Sequence, residues 1–165
     1  MAGREKSGFE NSSADLFAGA SMVLVPPPRF PAARMAALER FFLSLGFART
    51  IKTTPSRHDD MIAFTSQLGH VIAAAYAQDP RMDASVGFSA GSFANMTRIA
   101  TADPDVWSSL YFSNRKALLA AIDGFAGRMD AFRNALASGD LNAVKSFIAA
   151  GARAKEREIA VRGRS

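Results

Sequence analysis

Between Asn114 and Ser138, six large apolar residues (Leu118, Ile122, Phe125, Met129, Phe132 and Leu136) follow one another at intervals of 4, 3, 4, 3 and 4. That spacing places them on one stripe of an α-helix, a heptad seam three repeats long. A seam of this kind must be covered, either by other parts of the same chain or by a second copy. Asn114 is placed to cap the start of this helix and Gly139 to end it. Asp140 then caps a last amphipathic helix carrying Leu141, Val144 and Ile148. The two apolar faces together exceed what a domain of this size easily covers, so the chain is expected to form a homodimer.

Upstream the pattern is different. Ser21 to Val25 is a short apolar run rich in β-formers that stops at Pro26-Pro27-Pro28. A helix follows from Pro31, with Met35, Leu38, Phe42 and Leu45 on one face and Gly46 placed to end it; Phe47 to Thr53 reads as a second strand. Two strands are marginal alone, so this strand-helix-strand unit reads as the tail of a larger α/β sheet. From Pro55 onward the chain reads as helical. Met61, Phe64, Leu68, Val71, Ile72 and Ala75 lie close to one face of a helix over 56–77 that stops before Asp79-Pro80. Gly87 and Gly91 mark a bend, a helix is expected over 93–100, and another starts at Pro104 with Asp103 as N-cap. The fold class is therefore mainly α: a helical dimerisation domain over 55–165, preceded over 1–54 by a remnant of an α/β nucleotide-binding domain.

Composition removes several functions. With 48% hydrophobic and 21% charged residues the chain has enough apolar surface to fold. It has no cysteine and only two histidines, His58 and His70, which leaves no ligand set for a metal centre. The net charge of +5 raises a nucleic-acid reading, but the basic residues are scattered, and in the C-terminal run of Arg153, Lys155, Arg157, Arg162 and Arg164 they alternate with Glu156 and Glu158. Basic residues there suit a helix C-terminus. Neither nucleic acid nor membrane is expected as a partner, and a cytoplasmic location is expected.

Three segments in order carry a resemblance: the opening MAGREKSGFENSSADLF, then FTSQLGH over 64–70, then NMTRIATADPDVW over 95–107. Together they resemble the prephenate dehydrogenase family of tyrosine biosynthesis, over that family's C-terminal part. The resemblance implies an NAD- or NADP-dependent oxidative decarboxylation of prephenate, or of its amino counterpart arogenate, giving 4-hydroxyphenylpyruvate from prephenate. The family places a catalytic histidine two positions ahead of its Met-Ala-Gly loop, and Met1 stands here in the methionine's place. No glycine-rich GxGxxG occurs in the sequence. An upstream half is thus expected to be missing, with this chain inactive alone and binding no cofactor by itself.

The same resemblance nominates site residues. Glu5, the candidate on the catalytic side, stands where the family's loop carries a glutamate near the substrate entrance; without the resemblance it is a solvated loop acid. Arg98, in Met-Thr-Arg-Ile-Ala, matches the arginine that binds substrate carboxylate, a role its planar fork of donors suits. Gln67 and His70 lie three apart on a helix, share a face, and supply an amide and an imidazole able to orient a carboxylate or hydroxyl. Trp107 lines the pocket or anchors the core. His58, beside Asp59 and Asp60, reads as a capping or pairing residue near a helix start. Ala94 and Asn95 replace the basic-acidic pair that the family commonly shows before Thr-Arg. The expected ligands are small aromatic acids: prephenate, arogenate, 4-hydroxyphenylpyruvate or tyrosine. The rival reading is a free-standing dimeric helical module that binds such an acid for regulation.

Overall fold

The computed structural model describes residues 8–9 and 12–162. Strand β1 (Ser21–Leu24) and strand β2 (Arg49–Lys52) pair in parallel with Ser21 opposite Arg49 and Leu24 opposite Lys52, and helix α1 (Ala32–Ser44) makes the crossover between them. Gly46, at φ +96°, ends the helix in a conformation open to glycine without strain. Phe47 is buried where the chain turns back; its ring stacks on Phe17 at 4.7 Å and meets the edge of Phe42 at 6.0 Å. Glu39 on α1 reaches Lys52 on β2 at 3.0 Å. The expected strand-helix-strand unit is therefore present, as a two-stranded sheet.

The single helix expected over 56–77 is three pieces. Helix α2 (Pro55–Ile62) starts at Thr54, whose hydroxyl accepts from the Arg57 amide, and has Pro55 in its first turn. A π-helical turn (Ala63–Gln67) follows, with the Leu68 amide bonded to the Ala63 carbonyl five residues back, and helix α3 (Leu68–Ala77) continues from it. A π-turn inserts one extra residue into an α-helix. Here it turns Ala63, Gln67 and Leu68 inward, while Met61 and Phe64, expected on the buried face, are exposed.

After a bend at Gly87 (φ +87°), helix α4 (Gly91–Thr97) passes into a 3₁₀ turn (Arg98–Thr101). Helix α5 (Pro104–Ser113) is capped by Asp103, which accepts from the amides of Asp105 and Val106 at 3.0 Å each. Helix α6 (Arg115–Ala137) carries the heptad seam, and helix α7 (Leu141–Arg162) follows the turn at Gly139 (φ +71°). That turn closes with the Asp140 amide on the Ala135 carbonyl, and the Asp140 carboxylate then accepts from the Ala143 amide at 2.9 Å. The Asn114 side chain does more than sit at the start of α6, for its amide nitrogen reaches back to Asp59 and Gln67.

The chain divides into two compact units, one up to Ala121 and one from Ile122 onward. Within the first, Met35, Phe47, Ala63, Leu68, Ala73 and Leu118 are buried. Within the second, Phe132 and Phe147 pack their rings 5.0 Å apart, yet no residue of α7 is buried. Leu118 is the buried member of the seam; Met129 is 47% exposed and Leu136 63%. No helix among the described residues is long and apolar enough to cross a membrane.

Candidate functional site

Helix α3 and helix α5 meet through pairs of residues that run in opposite directions along the two elements. His70 lies against Trp107, with ring centroids 3.6 Å apart and planes 30° from parallel. One turn earlier on one side and one turn later on the other, the Gln67 amide nitrogen donates to the Leu110 carbonyl at 3.0 Å. Tyr111 extends the aromatic row, its ring 5.7 Å from that of Trp107, and burial pushes its phenol pKa up. Asp103 and Pro104 fix where α5 begins, and so where Trp107 falls.

His70 also ties α3 to the 3₁₀ turn. Its Nδ1 lies 3.1 Å from the Ile99 carbonyl oxygen. A carbonyl can only accept, so the proton sits on Nδ1, and in the neutral ring Nε2 is the acceptor nitrogen. Ile99 comes directly after Arg98, which is exposed and opens the turn; the Arg98 carbonyl accepts from the Thr101 hydroxyl at 3.3 Å. Gly69 faces Ile99 as well, and a Cβ there would make an ordinary contact at 3.9 Å with the Ile99 side chain.

Of the residues nominated from sequence, the structure therefore brings His70 and Trp107 into contact and places the turn headed by Arg98 next to them. Gln67 is in the same neighbourhood but is 3% exposed, and both ends of its amide are used within the protein: Nε2 on Leu110 and Oε1 accepting from Asn114 Nδ2 at 2.9 Å. Glu5 lies outside the described residues. His58 pairs with its neighbour Asp59, Nδ1 to Oδ1 at 2.9 Å, near the start of α2 as expected. Asn114 is the residue that sequence reasoning assigned only to a helix cap. Its contacts join positions 55 and 47 residues apart, which no local pattern reveals. Among the described residues no group of three or more His, Cys, Asp or Glu is placed to hold a metal ion.

A separate open groove of about 370 Å³ lies between α3 and α4, lined by Tyr76, Phe88, Phe93 and Met96 with Ser85 and Ser92. Tyr76 and Phe93 meet edge to face at 5.5 Å. It contains none of the residues nominated above.

Known proteins place this arrangement in a family. A cyclohexadienyl dehydrogenase of Zymomonas mobilis is 32% identical over 147 residues, covering 85% of this chain and 50% of that protein. A prephenate dehydrogenase of Bacillus subtilis is 25% identical over 138 residues, 81% of this chain and 37% of the relative. The chain thus spans half or less of the length of these relatives. Among solved structures, prephenate dehydrogenase from A. aeolicus in complex with hydroxyphenyl propionate and NAD+ superposes with a TM-score of 0.77 at 25% identity, over 96% of this chain and 57% of that one. Residues 54–149, well over half of the sequence and including α2 to α6, match the prephenate dehydrogenase dimerization domain, and the chain belongs to that family.

Proposed function

We propose that the chain is the substrate-binding and dimerising part of a prephenate or arogenate dehydrogenase, an oxidoreductase of tyrosine biosynthesis working in the cytoplasm. Residues 55–165 form the helical domain, and residues 1–54 belong to a nucleotide-binding domain. The observation that carries the reading is the meeting of His70, Trp107 and the Arg98 turn inside the segment that matches the family. An aromatic acid presents a ring and a carboxylate. Trp107 and the imidazole of His70 offer aromatic surface and polar ring atoms for the ring and its hydroxyl, and Arg98 offers a two-pronged cation for the carboxylate.

The chemistry requires a hydride acceptor held over the ring, which in this family is NAD or NADP. The sequence contains no GxGxxG loop, so the residues that grip the dinucleotide lie outside it. The chain by itself is accordingly expected to bind neither cofactor and to show no turnover of prephenate. Its partners are a second copy of itself and the aromatic acid.

Calorimetry with hydroxyphenylpropionate, 4-hydroxyphenylpyruvate and tyrosine tests the site. A charge-assisted pair contributes about 1.5–3 kcal/mol, so Arg98→Ala should weaken binding about ten- to a hundredfold, and Arg98→Lys should recover only part. Equal binding by the wild type and Arg98→Ala would remove Arg98 from the site.

A further inference from the structure

Gln67 is the one polar or charged side chain among the described residues that is buried. A buried amide is costly unless its donors and acceptor are matched, so its partners indicate what it is for. They form a closed ring. Gln67 Nε2 donates to the Leu110 carbonyl at 3.0 Å; the same carbonyl accepts the Asn114 backbone amide at 3.2 Å, the last hydrogen bond of α5; and Asn114 Nδ2 donates to Gln67 Oε1 at 2.9 Å. Asn114 Nδ2 also donates to the Asp59 carbonyl on α2 at 2.9 Å. Carbonyls in a helix's last turn have spare acceptor capacity, and Gln67 occupies it at Leu110.

The position of this ring relative to the stack is informative. Gln67 precedes His70 by three residues, and Leu110 lies three residues beyond Trp107. The Gln67–Leu110 bond and the His70–Trp107 stack are thus successive rungs between two antiparallel elements, one helical turn apart. Sliding or rotating α5 against α3 breaks both rungs together. The π-turn supplies the rest, because its extra residue rotates the chain by about 100° and brings Gln67 rather than a neighbour to face α5.

We propose that Gln67 is a positioning residue: it does not touch the substrate but locks the register of α5 against α3, holding the Trp107 indole over the His70 imidazole. The proposal rests on the reading of His70 and Trp107 as site residues. Its test needs no ligand, so the two can fail separately. Trp107 is the single tryptophan and His70 one of two histidines in the sequence. At 3.6 Å the indole ring current shifts the His70 ring protons upfield, while His58 serves as an unshifted internal reference. Trp107→Leu should abolish the displacement and calibrate it.

Gln67→Met keeps the side chain's length and removes both hydrogen bonds. It should lose most of the upfield displacement at His70 while its far-UV circular dichroism remains that of a folded helical protein. If Gln67→Met melts at a lower temperature yet keeps the full His70 displacement, Gln67 is a packing residue and the proposal is wrong. Should that variant not fold, the wild type decides. The Gln67 side-chain amide protons are expected to exchange with deuterium far more slowly than those of Gln78, which lies at the exposed end of α3; equal rates would overturn the proposal. Hydroxyphenylpropionate binding to the wild type, measured in parallel, reports on the site reading and not on the lock.

Discussion

Ile148→Asp on α7 is the sharpest test of dimerisation, because this helix has no buried residue and Ile148 is 61% exposed. Fully burying an isoleucine side chain contributes about 1.5–3 kcal/mol, so covering the exposed part contributes about 1–2 kcal/mol in each copy. In a two-fold dimer the substitution counts twice, giving about 2–4 kcal/mol per dimer and a dissociation constant raised about 30- to 800-fold. Charge works against that result: each copy carries +5, and adding an aspartate lowers their mutual repulsion. Weakened association would therefore have to come from lost burial. Sedimentation equilibrium across nanomolar to high micromolar concentration measures it, with Ala150→Asp, about 200° around the helix, as the charge-matched control. A wild type that stays monomeric at micromolar concentration, or an Ile148→Asp variant that associates as the wild type does, would refute the argument that the uncovered face of α7 is a contact between copies.

Asp103→Ala removes two cap hydrogen bonds at the start of α5 and should cost about 1 kcal/mol, read as a fall in Tm. Gly69→Ala should raise stability by about 0.5–1 kcal/mol in chemical denaturation, because a helical glycine is entropically costly and the new Cβ would make an ordinary contact at 3.9 Å with Ile99. The Arg81 side chain and backbone amide hold the Asp79 carboxyl well below the 3.8 of a free aspartate. That pair's contribution is present above the free value and is lost as pH falls through the folded one; carbon NMR should show Arg81→Gln returning the Asp79 midpoint upward, and high salt doing the same in part.

Most elements were legible because their signals are local. Asp103-Pro104 marks the start of α5, Gly46 and Gly139 mark helix ends at positive φ, and the β-branched and apolar runs around Val23 and Ile51 mark a pair of strands. The π-turn was not legible. Met61, Phe64 and Leu68 are spaced as a continuous α-helical stripe, and what breaks it is the satisfaction of one buried amide by groups 43 and 47 residues away. The site divides in the same way. Residue type and motif nominate Arg98, His70, Trp107 and Gln67 alike, but the hydrogen bonds of Gln67 to Leu110 and Asn114 are invisible there, because sequence gives a residue's chemistry and face but not its long-range partners. The break between compact units inside α6 also has no local signal, because the seam runs through it without interruption.

The π-turn has a consequence for how this segment tolerates changes in length. Elsewhere, in a long exposed helix such as α7, loss of one residue rotates the downstream turns against solvent and is absorbed at the helix end. Between Ala63 and Gln67 the same loss would restore regular α-helical winding. Because the turn holds one residue more than α-helical winding needs, and the Leu68 amide is already bonded to the Ala63 carbonyl, Leu68 and the residues after it would keep their phase and His70 would still face Trp107. A single-codon deletion between Ala63 and Ser66 is thus absorbed where it falls, with no rotation passed downstream, and the spare residue is slack in the chain's length that the same deletion in a regular buried helix would not find.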